Sequence, residues 1–333
     1  MNSSNLTTPP SKAQDLESQI AMAIFAVTLV LGVVGNGLVL LVVFGKGSRT
    51  VSDIFIMNLS ISDLTFLILS LAVNTPNFIG NLVYSVGYCK FVWPTITVTF
   101  FASVFTLCAM AMHRCHGILN PLKVNLTERQ AIYWAVGIWG LSFVPVFPLM
   151  VVTEISEEGC RENWSLESSK FYTVALFLLQ YMIPLCVIAG AYSQIIRRLI
   201  QRQVPGSMLD ENRHIIIRSK RKENNQIIKI VAVIVLLFAI CMLPHELAGL
   251  MIFFGDETRR TQGQALSRYS PMLQYIHSCL NPMVYGVLTR QFCKEYQRYL
   301  LMLLCCCRYK KVATFLKKNA SKHVKQAMAQ ASM

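Results

Sequence analysis

The sequence predicts an all-α membrane protein, a bundle of seven transmembrane helices followed by a short amphipathic eighth. Three observations carry this. Of the 333 residues, 14% are charged and 54% hydrophobic, whereas a water-soluble domain carries about 25% charged residues. The apolar residues collect into seven runs, each long enough to cross roughly 30 Å of hydrocarbon at about 1.5 Å per helical residue. The basic residues collect in the polar segments between those runs. Helices are expected because a backbone facing lipid must satisfy its own hydrogen bonds.

Residues 1–19 are polar and proline-bearing and are expected to be a disordered segment. They carry two glycosylation sequons, at Asn2 and Asn5. The seven-span domain occupies residues 20–289. Span one, Ile20 to Gly45, is uncharged, with Asn36 between Gly35 and Gly37. Span two, Ile54 to Gly80, carries Asp63 near its middle. Span three, Phe91 to Met112, lies between Cys89 and the triplet His113-Arg114-Cys115, and Pro94 is expected to bend it. Span four, Ala131 to Val152, contains Trp139, Pro145 and Pro148. An acidic loop follows, Thr153 to Lys170, with Cys160 and the sequon Asn163-Trp164-Ser165. Span five is Phe171 to Ile196, with Pro184 and Tyr192, and Arg197 to Asn225 is strongly basic. Span six, Ile227 to Phe254, includes Phe238, Met242, Pro244, His245 and Glu246. A charged loop, Gly255 to Arg268, leads to span seven, Tyr269 to Leu288. Residues 290–304 read as an amphipathic membrane-surface helix, with Phe292, Tyr296, Tyr299 and Leu300 at helical spacing among Arg290, Lys294 and Arg298. Residues 305–333 form a basic tail that opens on Cys305, Cys306 and Cys307, which are palmitoylation candidates.

Lys and Arg are concentrated after spans one, three and five and in the tail, so the positive-inside rule puts the amino terminus outside and the carboxyl terminus in the cytoplasm. The net charge of +14 then faces anionic lipid rather than nucleic acid. Of the 11 cysteines only Cys89 and Cys160 reach the outer, oxidising side, and a disulfide is expected between them. The sequons at Asn2, Asn5 and Asn163 fall on the same side.

A carboxylate at mid-membrane depth is costly, faces the bundle interior and needs partners. For Asp63 these are expected among Asn36, Ser103, Ser278 and Asn281. Carboxylate, hydroxyl and amide oxygens suit a small hard cation such as sodium, while a protonated structural aspartate is the competing reading. Pro282 removes a backbone donor and frees a carbonyl that Asn281 is expected to satisfy. Pro184 and Pro244 weaken spans five and six in the same way and mark hinges.

These pieces together resemble the rhodopsin-like (class A) G-protein-coupled receptors. The matching residues are Gly35-Asn36, the run Asn58 to Leu64, Cys89 with Cys160, Arg114, Trp139, Pro184 with Tyr192, Phe238 with Cys241 and Pro244, and Asn281-Pro282-Met283-Val284-Tyr285. Ile54 to Ser60, Cys89-Lys90-Phe91, Ser103 to Leu107 and Leu243-Pro244-His245 are similar to neuropeptide receptors of the galanin and allatostatin-A type. The resemblance implies a plasma-membrane receptor with an extracellular peptide ligand, a G protein and arrestin as partners, and no cofactor beyond an allosteric sodium ion in the network of Asn36, Asp63, Ser103, Ser278 and Asn281. It implies an activation switch built from Arg114, Tyr192, Phe238, Pro244, Pro282 and Tyr285. His113 stands where the family has an acidic residue, Cys115 where it has tyrosine, and Met242 where it has tryptophan. With less anionic restraint on Arg114, raised basal signalling is one expectation, and weak signalling from an altered switch is the opposite one.

Two departures narrow the ligand. Ile96 stands where amine receptors of the class carry aspartate, and Tyr275 where opsins carry their retinal-linking lysine. Glu154, Glu157, Glu158, Glu162 and Glu167 in the acidic loop suit long-range steering of a basic ligand. His245 and Glu246 are candidate pocket residues, with Met242, Tyr275 and Trp164 behind them; galanin receptors usually have histidine where Glu246 stands, and a carboxylate there suits a cationic group. A seven-span transporter or ion channel is disfavoured, since transporters usually show paired repeats with interrupted helices and none is visible. An intramembrane enzyme is disfavoured because Asp63 has no acidic partner in the spans.

Overall fold

The computed structural model describes residues 12–79, 85–120, 126–156, 159–201 and 211–304. Helix α1 (Lys12–Phe44) precedes α2 (Val51–Ile79). A π-helical turn, Tyr88–Val92, runs into α3 (Trp93–Leu119), and α4 (Glu128–Phe143) and α5 (Phe147–Val152) follow. Strands β1 (Thr153–Ser156) and β2 (Gly159–Glu162) lead to α6 (Leu166–Leu176), a second π-helical turn at Phe177–Met182, and α7 (Ile183–Gln201). The last described elements are α8 (Glu211–Phe254), α9 (Glu257–Leu288) and α10 (Arg290–Leu304). It divides into two units between Val284 and Tyr285.

Helix α1 starts at Lys12, not at Ile20, so residues 12–19 are helical where disorder was expected. Lys12 to Gln19 contains no glycine or proline, and its polar side chains are adequate helix formers. Helix α2 opens on a reciprocal cap. The Thr50 amide and hydroxyl donate to Asp53 Oδ2, each at 2.9 Å, the Asp53 amide returns a bond to Thr50 Oγ1, and Lys46 pairs with Asp53 Oδ1 at 2.6 Å. Thr127 and Gln130 form the same device at the start of α4.

Both π-helical turns have the same cause. Proline has no N–H, so the carbonyl four residues before it loses its helical partner. Trp93, just before Pro94, instead donates five residues back to Tyr88, and Ile183, just before Pro184, donates to Leu178. Pro145 and Pro148 go further and split span four into α4, of 16 residues, and α5, of 6.

Five described helical segments are long and apolar enough to cross a membrane: Gln19–Phe44, Val51–Leu71, Tyr88–Leu119, Leu166–Arg198 and Val231–Phe254. The fourth span falls short because of its proline break. The seventh carries a polar stripe, Ser270, Gln274, His277, Ser278 and Asn281, all buried. These recur at helical spacing and turn inward, where polar groups find partners. Helix α9 begins at Glu257, inside the segment expected to be a loop, and Asp256 caps it by accepting the Arg259 amide at 2.8 Å. A Cβ at Gly263 would sit 2.9 Å from Met251 Cβ and 3.1 Å from the Ala248 carbonyl, so the absent side chain lets α9 approach α8 closely.

The acidic segment is partly a β-hairpin, not only a loop. Thr153 pairs with Glu162 and Ile155 with Cys160, and Gly159 takes φ 131°, a conformation that glycine adopts without strain. In the second unit, Phe292 of α10 lies 5.8 Å from the Tyr285 ring and 6.0 Å from that of Tyr296.

Candidate functional site

The hairpin is tied to α3. Cys89, in the π-helical turn, is disulfide-bonded to Cys160 of β2, with Cα atoms 5.3 Å apart. Beside it, Lys90 Nζ donates to the Val151 carbonyl at 3.1 Å. Trp164 Nε1 donates to Glu162 at 2.9 Å, and its ring stacks on Tyr172 at 5.0 Å. Glu162 is exposed as a residue, but its neighbours crowd water from its carboxyl group and raise its pKa, an effect that the Trp164 N–H partly offsets. Asn163 is exposed and donates to Glu154 at 3.2 Å. Asn2, Asn5, Cys305, Cys306 and Cys307 lie outside the described residues.

The centre of the bundle is a connected polar network. Asp63 is buried, and its Oδ2 accepts from Asn281 Nδ2 at 2.7 Å, with Ser278 as a second side-chain donor. Asn36 Nδ2 donates to the Ser278 carbonyl at 2.9 Å and to the Gly32 carbonyl at 3.0 Å. The first of these bonds explains the Gly35-Asn36 pair. Ser278 is four residues before Pro282, so its carbonyl is the one that proline leaves without a helical donor. A Cβ on Gly35 would come 2.7 Å from Pro282 Cγ. Glycine there allows α1 close enough for the Asn36 amide to reach that carbonyl. The expected donor was Asn281; its amide nitrogen goes to Asp63 instead.

Ser103 joins less directly than expected, through a hydroxyl contact with Ser62 at 2.8 Å. It nonetheless lines one small cavity with Asp63, Thr99, Phe238, Met242, Gln274, His277 and Ser278. About 10 Å³ of this cavity is open to the centre of a water-sized sphere, room for about one water or a small ion. The oxygens of the Asn36 and Asn281 amides are buried without a partner in this network, as is His277 Nε2. A carboxylate, hydroxyls and amide oxygens make a donor set that fits a hard monovalent cation. Among the described residues no cluster of three His, Cys, Asp or Glu could hold a metal ion. His277, Gln274 and Ser62 were not singled out in the sequence, although His277 lies four residues before Asn281, on the same helical face.

A second polar cluster locks three helices. Asn58 Nδ2 donates to Thr106 Oγ1 at 2.6 Å, and Trp139 Nε1 donates to Asn58 Oδ1 at 3.0 Å. Toward the far end of α3, Arg114 donates to Ser52 Oγ at the start of α2. His113 sits edge-on to Phe55, 6.2 Å between ring centres, and Cys115 is buried. The buried Tyr192 hydroxyl has no hydrogen-bond partner among the described residues.

The pocket candidates fall into four settings. Met242 is buried on the cavity wall, beside Phe238. His245 is exposed and shares a hydrogen bond with Ser270 at 3.2 Å, while Glu246 is buried. Tyr275 packs between Phe25, at 4.8 Å, and Phe66, at 5.6 Å. Trp164 belongs to the hairpin end, so the structure does not gather these five into one wall.

Comparison with known proteins agrees with this architecture. The family profile for the seven-transmembrane receptors of the rhodopsin family matches residues 35–285. Galanin receptor 2a of Danio rerio is 29% identical over 307 residues, covering 90% of this chain and 82% of that protein. Galanin receptor type 2 of Homo sapiens is 30% identical over 291 residues, 84% of this chain and 73% of the relative. The RYamide receptor of Drosophila melanogaster is 26% identical over 300 residues, 82% and 61% of the two chains.

Proposed function

The chain belongs to the rhodopsin family of seven-transmembrane receptors, and on that premise we propose that it binds an extracellular neuropeptide at the cell surface and activates a heterotrimeric G protein. The observation that carries this reading is the Asn36–Ser278–Asp63–Asn281 network, which couples α1, α2 and α9 through groups that can exchange partners. Its relatives include receptors named for galanin and RYamide, which supports a peptide as the ligand class.

In this reading the disulfide-bonded hairpin is extracellular, and the basic segment Arg197 to Asn225 and the tail are cytoplasmic. Glycans at Asn2, Asn5 and Asn163 belong to the outer side. Palmitate on Cys305, Cys306 or Cys307 belongs to the inner side, with arrestin as a further cytoplasmic partner. Asp63, Ser103, Ser278, Asn36 and Asn281 would hold a sodium ion, whose charge favours the packed, resting arrangement. Asp63 supplies the carboxylate, the serines hydroxyl oxygens and the asparagines their unpartnered amide oxygens. Phe238 and Pro244 on α8 pass ligand-induced movement along the bundle, and Pro282 plays that part on α9. Arg114, released from Ser52, then meets the G protein with Tyr192 and Tyr285, while His113 stays against Phe55. Raised basal output is the second reading, because His113 stands beside Arg114 where the family has an acidic residue.

The test is a neuropeptide library applied to cells expressing the chain, with calcium and cyclic AMP as readouts. A peptide response that disappears in Arg114→Ala, with surface expression retained, is the expected result. Substrate or ion flux without G-protein dependence would refute the reading. Ligand-free output equal to that of mock-transfected cells would remove the basal-activity reading.

A further inference from the structure

We propose that Glu246 is the anchor for a positively charged group of the activating peptide, a lysine or arginine side chain or an amino-terminal ammonium. The inference rests on the peptide-receptor reading and adds to it the chemistry of the ligand. The described residues include three buried carboxylates, Asp53, Asp63 and Glu246. Asp53 is paired with Lys46 and Thr50. Asp63 accepts from Asn281 and Ser278. Glu246 is 7% exposed, and its Oε1 has no hydrogen-bond partner. No ion pair among the described residues includes it. His245, its neighbour in sequence, is turned to Ser270 instead.

A buried carboxylate left without a counter-charge is costly, and among the described residues no ion pair offsets that cost for Glu246. Its placement supplies a reason. Glu246 stands four residues after Met242, on the same face of α8 and one turn nearer the hairpin end. Met242 is on the wall of the cavity that Gln274 and Asp63 also line. Gly249, one turn further along α8, faces Thr173 of α6, so Glu246 lies on the hairpin side of the polar network. The surface at that end carries both signs, Glu154, Glu162 and Glu167 with Arg161, Arg259 and Arg260. A cation delivered to Glu246 would be desolvated and paired, and removing one partner of such a pair weakens binding at least about thirtyfold.

The experiment incubates the full-length receptor in lipid nanodiscs with a random peptide library and identifies the retained peptides by mass spectrometry. It compares wild type, Glu246→Gln and Glu246→Asp, each checked for an unchanged melting transition. Glutamine keeps the shape of a protonated glutamate, so it separates charge from fit. Wild type and Glu246→Asp should enrich peptides with Lys, Arg or a free amino terminus. Glu246→Gln should bind them at least about thirtyfold more weakly. Equal retention by Glu246→Gln would overturn the proposal. A Glu246-dependent melting shift with agmatine, a free guanidinium amine, and no enriched peptide would overturn the peptide assignment. Uncharged peptides that activate wild type and Glu246→Gln equally would overturn the anchor and leave the receptor reading standing. Signalling from no peptide at all would overturn both.

Discussion

The bond from Asn36 to the Ser278 carbonyl gives a sharp mutational test. Asn36→Ala removes the 2.9 Å donor and leaves that carbonyl, already deprived of a helical N–H by Pro282, buried and unsatisfied. Such a group costs about 1–3 kcal/mol, and interhelical bonds measured in membranes average about 0.6 and reach about 1.7 kcal/mol. Together these give about 1–2 kcal/mol. At about 1.5 °C per kcal/mol for a chain of 333 residues, the apparent melting temperature should fall by roughly 1.5–3 °C. The same substitution in a Pro282→Ala background should cost far less, because the alanine introduced there has an N–H that can donate to the Ser278 carbonyl in the ordinary helical pattern. The assay is thermal unfolding of the purified receptor in detergent at one fixed scan rate, since membrane proteins unfold irreversibly. If Asn36→Ala costs the same in both backgrounds, to within about 0.5 kcal/mol, the carbonyl is not what Asn36 serves and the argument fails.

Exchanging KCl for NaCl at constant ionic strength should raise the melting temperature of wild type but not of Asp63→Asn; equal shifts in the two would exclude Asp63 as the cation's ligand. Trp139→Phe keeps a six-membered aromatic ring but removes the pyrrole half of the indole with its 3.0 Å donor to Asn58, and should cost at least about 1 kcal/mol in the same melting assay. Gly263→Val forces α8 and α9 apart at Met251 and Ala248, and should cost about 1–3 kcal/mol, read as lost surface expression and a lower melting temperature.

Much of the fold was legible because its signals are local. Charge depletion and apolar length marked the spans, and lysine and arginine placement suggested their orientation. Other elements depended on groups far apart in sequence. The hairpin strands have four residues each and are fixed by a disulfide spanning 71 positions, so no local periodicity announced them. Pro145 and Pro148 were visible, but whether they would bend or split the span was not. The start of α9 had a readable cap in Asp256 that its charged surroundings obscured.

The candidate site divides along the same line. The sequence by itself determined that Asp63 needs polar partners, because a carboxylate in hydrocarbon is costly at any position of the helix. It also supplied the partner set of Asn36, Ser103, Ser278 and Asn281. Only the tertiary structure decided who bonds to whom: Asn281 serves Asp63, Asn36 serves the carbonyl orphaned by Pro282, and Ser103 reaches the site through Ser62. It also brought in His277 and separated Glu246, whose Oε1 has no hydrogen-bond partner among the described residues, from Asp63, which accepts from Asn281. The reason is physical. Depth in a membrane follows from position along one helix, whereas a hydrogen bond between helices depends on their rotation and separation, which Gly35 and Gly263 set through packing.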